Sequence, residues 1–247
     1  MRFDILTLFP EMTDSIFSYS IISRAMSQNL IEIHSHNIRD YSTDKHRRVD
    51  DTPYGGGMGM LMSPQPIFDC HKAVKGGREN VRTIYMSPQG TVFNHQKALE
   101  LREYDNIIIL CGHYEGVDQR VIDEIVDEEI SIGDYVLTGG ELAAAVVVDA
   151  VARLCEGVLS DKECYEKESI AGGLLEYPQY TRPFDFHGLT VPEVLNSGHH
   201  ANIELWRLER AVEKTLRVRP DLIENGTFDK KTLKVIERIK KEYENQQ

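Results

Sequence analysis

The sequence predicts an α/β protein in which a mainly parallel sheet occupies the first part of the chain and a small all-helical domain occupies the last part. Strand-like and helix-like segments alternate from the N-terminus to about residue 155, which is typical of a layered α/β fold. Beyond residue 176 an extended stretch is broken by prolines, and apolar residues then recur at helical spacing over residues 198–220 and 230–245. The chain therefore divides into two parts of different structural class.

The strand and helix patterns of the first part are short and follow one another closely. Four apolar runs predict strands, at residues 3–9, 31–38, 81–86 and 107–111. Segments with helical periodicity lie between or after them, at residues 14–28, 64–74, 94–103, 118–126 and 141–155. The last of these segments is apolar nearly all round, so we expect it to be buried between the sheet and a partner surface.

Residues 157–175 differ from both parts. They mix charge, glycine and serine without a helical or strand period, which is typical of a linker. We therefore expect an α/β domain over residues 1–160, a flexible linker over residues 161–175 and a helical domain over residues 176–247.

Charge is distributed unevenly along the chain. The formal net charge is −12, and all of it belongs to residues 1–170, because residues 171–247 contain 12 basic and 12 acidic residues. An evenly acidic surface would repel nucleic acid, since phosphate contacts need local positive potential. The neutral C-terminal part leaves nucleic acid binding open.

The four cysteines indicate the cellular compartment. They form no CxxC pair and none has zinc-ligand spacing to a histidine, so we interpret them as reduced thiols. The N-terminal segment resembles a strand more than a signal peptide, and no apolar window approaches the ~18 residues that span a bilayer. We expect a cytoplasmic protein without a membrane segment.

Three glycine-rich segments stand out, of which two follow predicted strands and the third runs directly into the helix pattern at 141–155. Ligands of open α/β sheets lie beyond the carboxyl ends of strands, where glycine lets the main chain approach them closely. Each segment alone could be a tight turn, but three in succession favour a binding site. No GxGxxG or GxxxxGK[ST] motif is present, which counts against dinucleotide and P-loop enzymes. The three segments are MSPQG at 86–90, CGHYEGVDQR at 111–120 and SIGDYVLTGGE at 131–141.

These segments resemble one known family. GHYEGVDQR and SIGDYVLTGGE, followed by GLLEYPQYTRP and VPEVLNSGHH, closely resemble the bacterial tRNA (guanine-N1)-methyltransferases of the SPOUT class. The resemblance runs from LTLFPEM to WRLERA and so covers nearly the whole chain. It implies a deep trefoil knot in the α/β domain, a helical C-terminal domain and an obligate homodimer with active sites at the subunit interface. It also implies transfer of a methyl group from S-adenosylmethionine to guanosine 37 of tRNA, just 3′ of the anticodon.

The same resemblance assigns a binding site for the methyl donor. The main chain of the three glycine-rich segments would make most of the contacts. The residues assigned to the site are Tyr85, Met86, Ser87, Pro88, Gly112, Tyr114, Ile132, Gly133, Asp134, Tyr135, Val136, Leu137, Gly139 and Gly140.

Methylation at guanine N1 needs a general base near N1 and a cation near O6, because loss of the N1 proton places negative charge on O6. The resemblance assigns Arg153 as the cation, although a salt bridge with Asp149 one turn earlier is an alternative. It assigns Glu168 as the base, where most relatives have aspartate. The alternative is that Glu168 is one of several acidic residues on a solvated loop. Glu115 is the candidate ligand for Mg²⁺, which binds to few carboxylates and keeps several waters.

A basic stripe is the candidate RNA-binding surface. Arg207, Arg210, Lys214 and Arg217 are spaced to lie on one face of the helix over residues 198–220. Pairing with interleaved glutamates on a solvated face is the alternative. Two rival functions remain at this point, a knotted methyltransferase for ribosomal RNA ribose and an RNA-binding paralogue without activity.

Overall fold

We describe residues 1–160 and 169–244 in a computed structural model, in which the chain forms two compact units, Met1–Lys162 and Glu163–Gln247. Glu168, the candidate base, lies outside the described residues. Within the described ranges no helix has the length and apolar character needed to cross a membrane.

The N-terminal unit is built on a five-stranded sheet in which every pair of neighbouring strands is parallel. The strand order is β2-β1-β6-β5-β7, so the sheet prediction is confirmed. A separate antiparallel pair, β3 with β4, lies outside this sheet. The strands of the unit are β1 (Arg2–Thr7), β2 (Glu32–Asn37), β3 (Asp50–Asp51), β4 (Leu61–Met62), β5 (Val81–Val92), β6 (Asn106–Cys111) and β7 (Glu128–Ser131).

Within residues 1–160, six α-helices accompany these strands. They are α1 (Pro10–Phe17), α2 (Ser20–Ser27), α3 (Pro64–Lys75), α4 (His95–Leu101), α5 (Gln119–Ile125) and α6 (Glu141–Ala152). The side chains of Asn94 and Asp118 accept hydrogen bonds from the first turns of α4 and α5, which satisfies backbone donors that helices leave unpaired. The prediction of one helix over 14–28 is wrong, because the chain has a positive φ of 60° at Ser20 and forms two helices instead.

The edge formed by β5 and β7 differs from expectation. β5 continues through the predicted loop at 86–90, and its pairing with β7 shifts register between Met86 and Thr91. Gly90 permits this close pairing, because a Cβ atom there would lie 2.4 Å from the backbone of Glu129 and Ile130. β7 was not predicted, since its four residues begin with two glutamates and lack an apolar run.

The sheet and α6 supply much of the core. All six residues of β6 are buried, as befits a central parallel strand, and α6 buries alanine and valine side chains around most of its circumference. Leu142 and Val146 are nevertheless 48% and 47% exposed, and they lie four residues apart on one face. In this chain alone, one apolar stripe of α6 therefore faces solvent.

The described part of the C-terminal unit contains three α-helices, α7 (His200–Val218), α8 (Pro220–Asn225) and α9 (Lys230–Glu244). Their apolar faces form a small core that includes Val212, Ile223 and Ile236. The prediction of an all-helical C-terminal part is wrong in one respect, because β8 (Asp185–Phe186) and β9 (Leu189–Thr190) form an antiparallel hairpin. His187 and Gly188 have positive φ in its two-residue turn, which the sequence pattern did not reveal.

Candidate active site

The three glycine-rich segments meet in one pocket. Because β6, β5 and β7 are neighbours in a parallel sheet, the segments that follow β6 and β7 lie at the same edge. The segment 86–90 lies within β5, but it begins at Met86, which pairs with the last residue of β6, and so belongs to this edge too. We call the cavity that they line the glycine pocket. Of the residues assigned to donor binding, those that line it are Tyr85, Met86, Ser87, Pro88, Gly112, Tyr114, Ile132, Gly133, Tyr135, Val136, Leu137, Gly139 and Gly140. Asp134 is exposed and is not among the described residues that line the pocket. Donor binding by these residues stays a prediction.

Two glycines of the pocket occupy positions that no larger residue could fill without displacing its neighbours. A Cβ atom on Gly139 would lie 2.2 Å from Cε1 of His113. A Cβ atom on Gly140 would lie 2.8 Å from Cα of Cys111. Gly140 also donates a backbone hydrogen bond to the carbonyl of Gly112, at 3.0 Å, which joins the loops after β6 and β7. The wall is therefore main chain, well suited to a ligand recognised through backbone groups.

A buried carboxylate supports this wall from behind. Glu141, the first residue of α6, is 1% exposed and accepts a hydrogen bond of 2.5 Å from the Thr7 hydroxyl. Nε2 of His113 lies 2.8 Å from both of its carboxylate oxygens. Glu141 therefore links the end of β1 to the loop after β6 directly beneath Gly139. Sequence reasoning left His113 and Glu141 without a shared role, because the partners are 28 and 134 residues apart and no local spacing joins them.

Tyr85 forms part of the pocket floor. Burial raises the pKa of its phenol to about 12, so the hydroxyl stays protonated at neutral pH. Its Oη atom lies 2.7 Å from the place where Gly112 would carry a Cβ atom, so the glycine leaves room for the phenol. Tyr85 can donate a hydrogen bond but cannot act as a base near neutrality.

Glu115 lies between the glycine pocket and the YGGGMGM segment. It lines the pocket, its backbone N–H donates to the carbonyl of Met60 at 3.0 Å, and its side chain lies against Gly59. The described residues contain no group of three or more His, Cys, Asp or Glu side chains placed to hold a metal ion. A magnesium ion at Glu115 would therefore have a single described protein ligand and would depend on water and substrate oxygens for the rest.

Arg153 is separated from the pocket by the length of α6. It caps the helix at its C-terminal end, where its N–H donates to the carbonyl of Asp149 at 3.2 Å. α6 starts at Glu141 beside the pocket, and twelve residues at ~1.5 Å each give a helix of about 18 Å. Arg153 and the glycine pocket of one chain are thus too far apart to contact the same atom of a base.

The basic stripe is partly paired. Arg207 forms a salt bridge with Glu204 at 2.8 Å, and Arg210 forms one with Glu213 at 2.7 Å. Both salt bridges join residues three apart on the helix, which is the pairing with interleaved glutamates expected for a solvated face. Such exposed pairs contribute little to stability. Lys214 donates to the carbonyl of Glu176, at 3.4 Å. Arg210, Lys214 and Arg217 line a cleft together with Pro178 and Tyr243.

The parallel sheet and the glycine pocket at its carboxyl edge define an α/β protein whose pocket lies where open parallel sheets bind their ligands. The family model described as tRNA (Guanine-1)-methyltransferase TrmD matches residues 1–225, and the chain belongs to this family. The resemblance inferred from the motifs is thereby confirmed.

Curated relatives extend this result over nearly the whole chain. Three are proteins named tRNA (guanine-N(1)-)-methyltransferase. The relative from Ruminiclostridium cellulolyticum is 57% identical over 90% of this chain and 96% of its own length. That from Alkaliphilus metalliredigens is 52% identical over 99% and 100%, and that from Staphylococcus aureus is 50% identical over 97% and 98%.

Proposed function

We propose that this protein transfers the methyl group of S-adenosylmethionine to N1 of guanosine 37 in tRNA. The observation that carries the proposal is the glycine pocket, which the motif segments of a TrmD-family chain build at the carboxyl edge of the sheet. Gly139 and Gly140 pack against His113 and Cys111 so closely that neither position has room for a Cβ atom. The wall at these positions is therefore main chain, which fits a ligand held by backbone contacts. When bound, the donor supplies an electrophilic methyl group on a sulfonium ion.

The protein's own residues divide the remaining chemistry between them. Glu168 would take the N1 proton of guanine and so free the nitrogen lone pair for methylation. Arg153 stabilises the negative charge that develops on O6. The target base has to leave its stack to reach the pocket, and that step is easier in a loop than in a duplex.

The distance along α6 supports a homodimer in which two chains complete each site. Arg153 of one subunit would act at the glycine pocket of the other, because its own pocket lies about a helix length away. The exposed side chains of Leu142, Val146 and Val136 give this part of the unit an apolar surface suited to self-association. We also infer that the strands around the glycine pocket form the trefoil knot of this class, a proposal supported by membership of the family.

The proposal also includes a ligand for Mg²⁺ and a cellular compartment. Glu115 is the described carboxylate that lines the pocket wall, so it is the residue that would hold Mg²⁺ and position substrate oxygens there. A cytoplasmic location follows from the substrate, since tRNA is made and used in the cytoplasm of bacteria.

The decisive experiment transfers a labelled methyl group from S-adenosylmethionine to bulk tRNA and then identifies the modified nucleoside. The expected product is 1-methylguanosine, lost when guanosine 37 is replaced. A ribose-methylated product would instead support the ribosomal RNA type of knotted enzyme, and no product would support the inactive paralogue. The donor alone should raise the melting temperature, because a ligand that binds only the folded chain stabilises it.

A further inference from the structure

A second pocket lies entirely within the C-terminal unit. The extended residues 177–184 and helix α7 line a cavity of about 590 Å³. Four aromatic side chains, Tyr177, Tyr180, Phe184 and Trp206, contribute to its walls together with Arg207. We call this cavity the aromatic pocket. The segments GLLEYPQYTRP, VPEVLNSGHH and WRLERA supply most of its lining, but the sequence did not indicate that they form a pocket.

The rings of the aromatic pocket are available to a ligand. Tyr180 and Phe184 are 49% and 52% exposed, and the ring centroids of Tyr180 and Trp206 are 6.3 Å apart. These rings do not belong to the small apolar core of the unit, which consists of other side chains. Covering an exposed aromatic surface with a flat apolar ligand is favourable, because it removes apolar area from water.

Arg207 adds a polar requirement. Its guanidinium lies 5.0 Å from the centroid of the Tyr177 ring, and Nη1 is bonded to Glu204. Its Nε atom is buried and has no hydrogen-bond partner among the described residues. Because an unpaired buried donor costs free energy, a ligand that carries acceptors beside a flat ring would be stabilised here.

The surface next to the aromatic pocket is basic. Arg210, Lys214 and Arg217 follow Arg207 on α7, and they line a cleft that shares Pro178 with the aromatic pocket. A ligand that spans both cavities would present a flat ring to one and anionic groups to the other. Nucleic acid has this combination, because unstacked bases pack on aromatic and guanidinium groups while phosphates contact nearby cations.

We propose that the aromatic pocket receives one unstacked nucleobase of the tRNA substrate while the cations of α7 contact its neighbouring phosphates. The inference deepens the proposed function and rests on it, since it names a second place at which the same substrate is held. The base bound here is a base other than the methylated guanine, which must reach the glycine pocket.

Trp206 is the only tryptophan of the chain, so its fluorescence reports directly on the aromatic pocket. Titration of the full-length protein with an unmodified tRNA transcript should quench this fluorescence as the base stacks. Trp206→Leu should weaken tRNA binding roughly 5- to 100-fold, the range found when a stacking ring is removed. Trp206→Phe should restore most of the affinity. Phe186→Leu, in the exposed hairpin outside this pocket, is the matched control and should bind normally.

Salt dependence distinguishes a base contact from a phosphate contact. Trp206→Leu should lower affinity at every salt concentration without changing the slope of log affinity against log salt, whereas Lys214→Gln should reduce that slope by about one counterion. In a set of transcripts that each lack one base, removal of one particular base should weaken binding to the wild-type protein as much as Trp206→Leu weakens binding of the intact transcript. The Trp206→Leu variant should bind that abasic transcript no more weakly than the wild-type protein does.

The inference is overturned if Trp206→Leu and Tyr180→Leu, both folded by circular dichroism, bind tRNA as tightly as wild type. It is also overturned if no abasic position is coupled to Trp206, an outcome that would favour a protein partner for the pocket. The two proposals fail separately, because 1-methylguanosine formation by the wild-type protein tests the proposed function alone. A normal product together with normal binding by both ring variants rejects only the aromatic pocket.

Discussion

The glycine pocket of the N-terminal unit is walled largely by main chain, whereas the aromatic pocket of the C-terminal unit is walled by rings and a guanidinium group. In the first, a missing side chain is the essential feature, and the addition of one carbon atom at Gly140 collides with backbone. In the second, large side chains supply the surface. Backbone walls suit one small ligand of fixed shape, while rings accept any base, because every base has a flat face.

The largest effect is expected from a change that removes the general base and leaves both pockets intact. Glu168→Gln should lower the rate of methyl transfer about 10²–10⁴-fold, the usual contribution of a general base. Binding of donor and of tRNA should stay nearly unchanged. Single-turnover measurement keeps product release from hiding the step.

Neighbouring glutamates provide the controls for Glu168. Glu163→Gln and Glu166→Gln remove the same charge from the same segment and should turn over tRNA at close to the wild-type rate. Glu168→Asp keeps the carboxylate and should retain more activity than Glu168→Gln. A wild-type single-turnover rate for Glu168→Gln would show that the proton leaves by another route.

The second prediction is that the stability of the N-terminal unit depends more strongly on pH than that of the C-terminal unit. Burial lowers the pKa of His71 to about 4, and its Nε2 lies 2.9 Å from the hydroxyl of Thr83. Between pH 6.5 and 4 the unfolded chain therefore binds a proton that the folded chain does not, so stability falls as pH falls through this range. The lowered pKa corresponds to roughly 3 kcal/mol of folding stability, which the protein has in full above pH ~6.5 and loses as the pH falls towards 4.

Urea unfolding at pH 7, 5.5 and 4 measures this effect. Among the described residues His71 is the buried histidine, and it belongs to the N-terminal unit. Circular dichroism should therefore show a larger loss between pH 7 and 4 than the fluorescence of Trp206, which reports on the C-terminal unit. His71→Gln cannot be protonated and should flatten the pH dependence. An unchanged pH dependence in that variant would assign the effect to other groups.

The third prediction concerns the wall of the glycine pocket. Gly140→Ala should lower the free energy of unfolding by ~1–3 kcal/mol through overpacking against the backbone of Cys111 and Gly112. It should also weaken donor binding, because relief of the collision displaces the main-chain wall. Gly77→Ala is the matched control, since a Cβ atom there would meet nothing within 4 Å. Calorimetric titration with S-adenosylmethionine measures both variants. Equal affinities for the two would place the donor somewhere other than this wall.

The smallest effect is expected at the basic stripe. Charge reversal of Arg210 and Lys214 should weaken tRNA binding modestly and flatten its salt dependence by about one to two counterions. The salt bridge between Arg210 and Glu213 already offsets part of one charge. Donor affinity is the internal control and should not change. If tRNA affinity stays the same as well, this face of α7 is only solvated.

Much of the N-terminal fold could be predicted because its signals are local. The apolar run of β6 and the uniformly apolar α6 indicate burial without any knowledge of their neighbours. β7 could not be predicted, because its two glutamates do not favour a strand by themselves. They adopt strand conformation at the sheet edge through pairing with β5. The break at Ser20 was missed for a similar reason, because a single positive φ leaves no periodic trace.

The two pockets also differed in how far the sequence could predict them. The glycine pocket was predicted from its segments, because glycines that directly follow several strands indicate a close approach of the main chain to a ligand. The link from Thr7 through Glu141 to His113 was missed, since only folding brings these residues together. The aromatic pocket was missed because Tyr180 and Trp206 form no spacing pattern, and each ring alone could equally belong to a core.

The position of β1 in the sheet has a consequence for synthesis of the chain. β1 pairs with β2 on one side and with β6 on the other. Its first neighbour is complete at Asn37, but the second is complete only at Cys111. At ~5–20 residues per second, a ribosome leaves one edge of the first strand open for roughly 4–15 s. During that interval the nascent chain exposes an apolar template, so chaperone demand should peak before residue 111 has emerged.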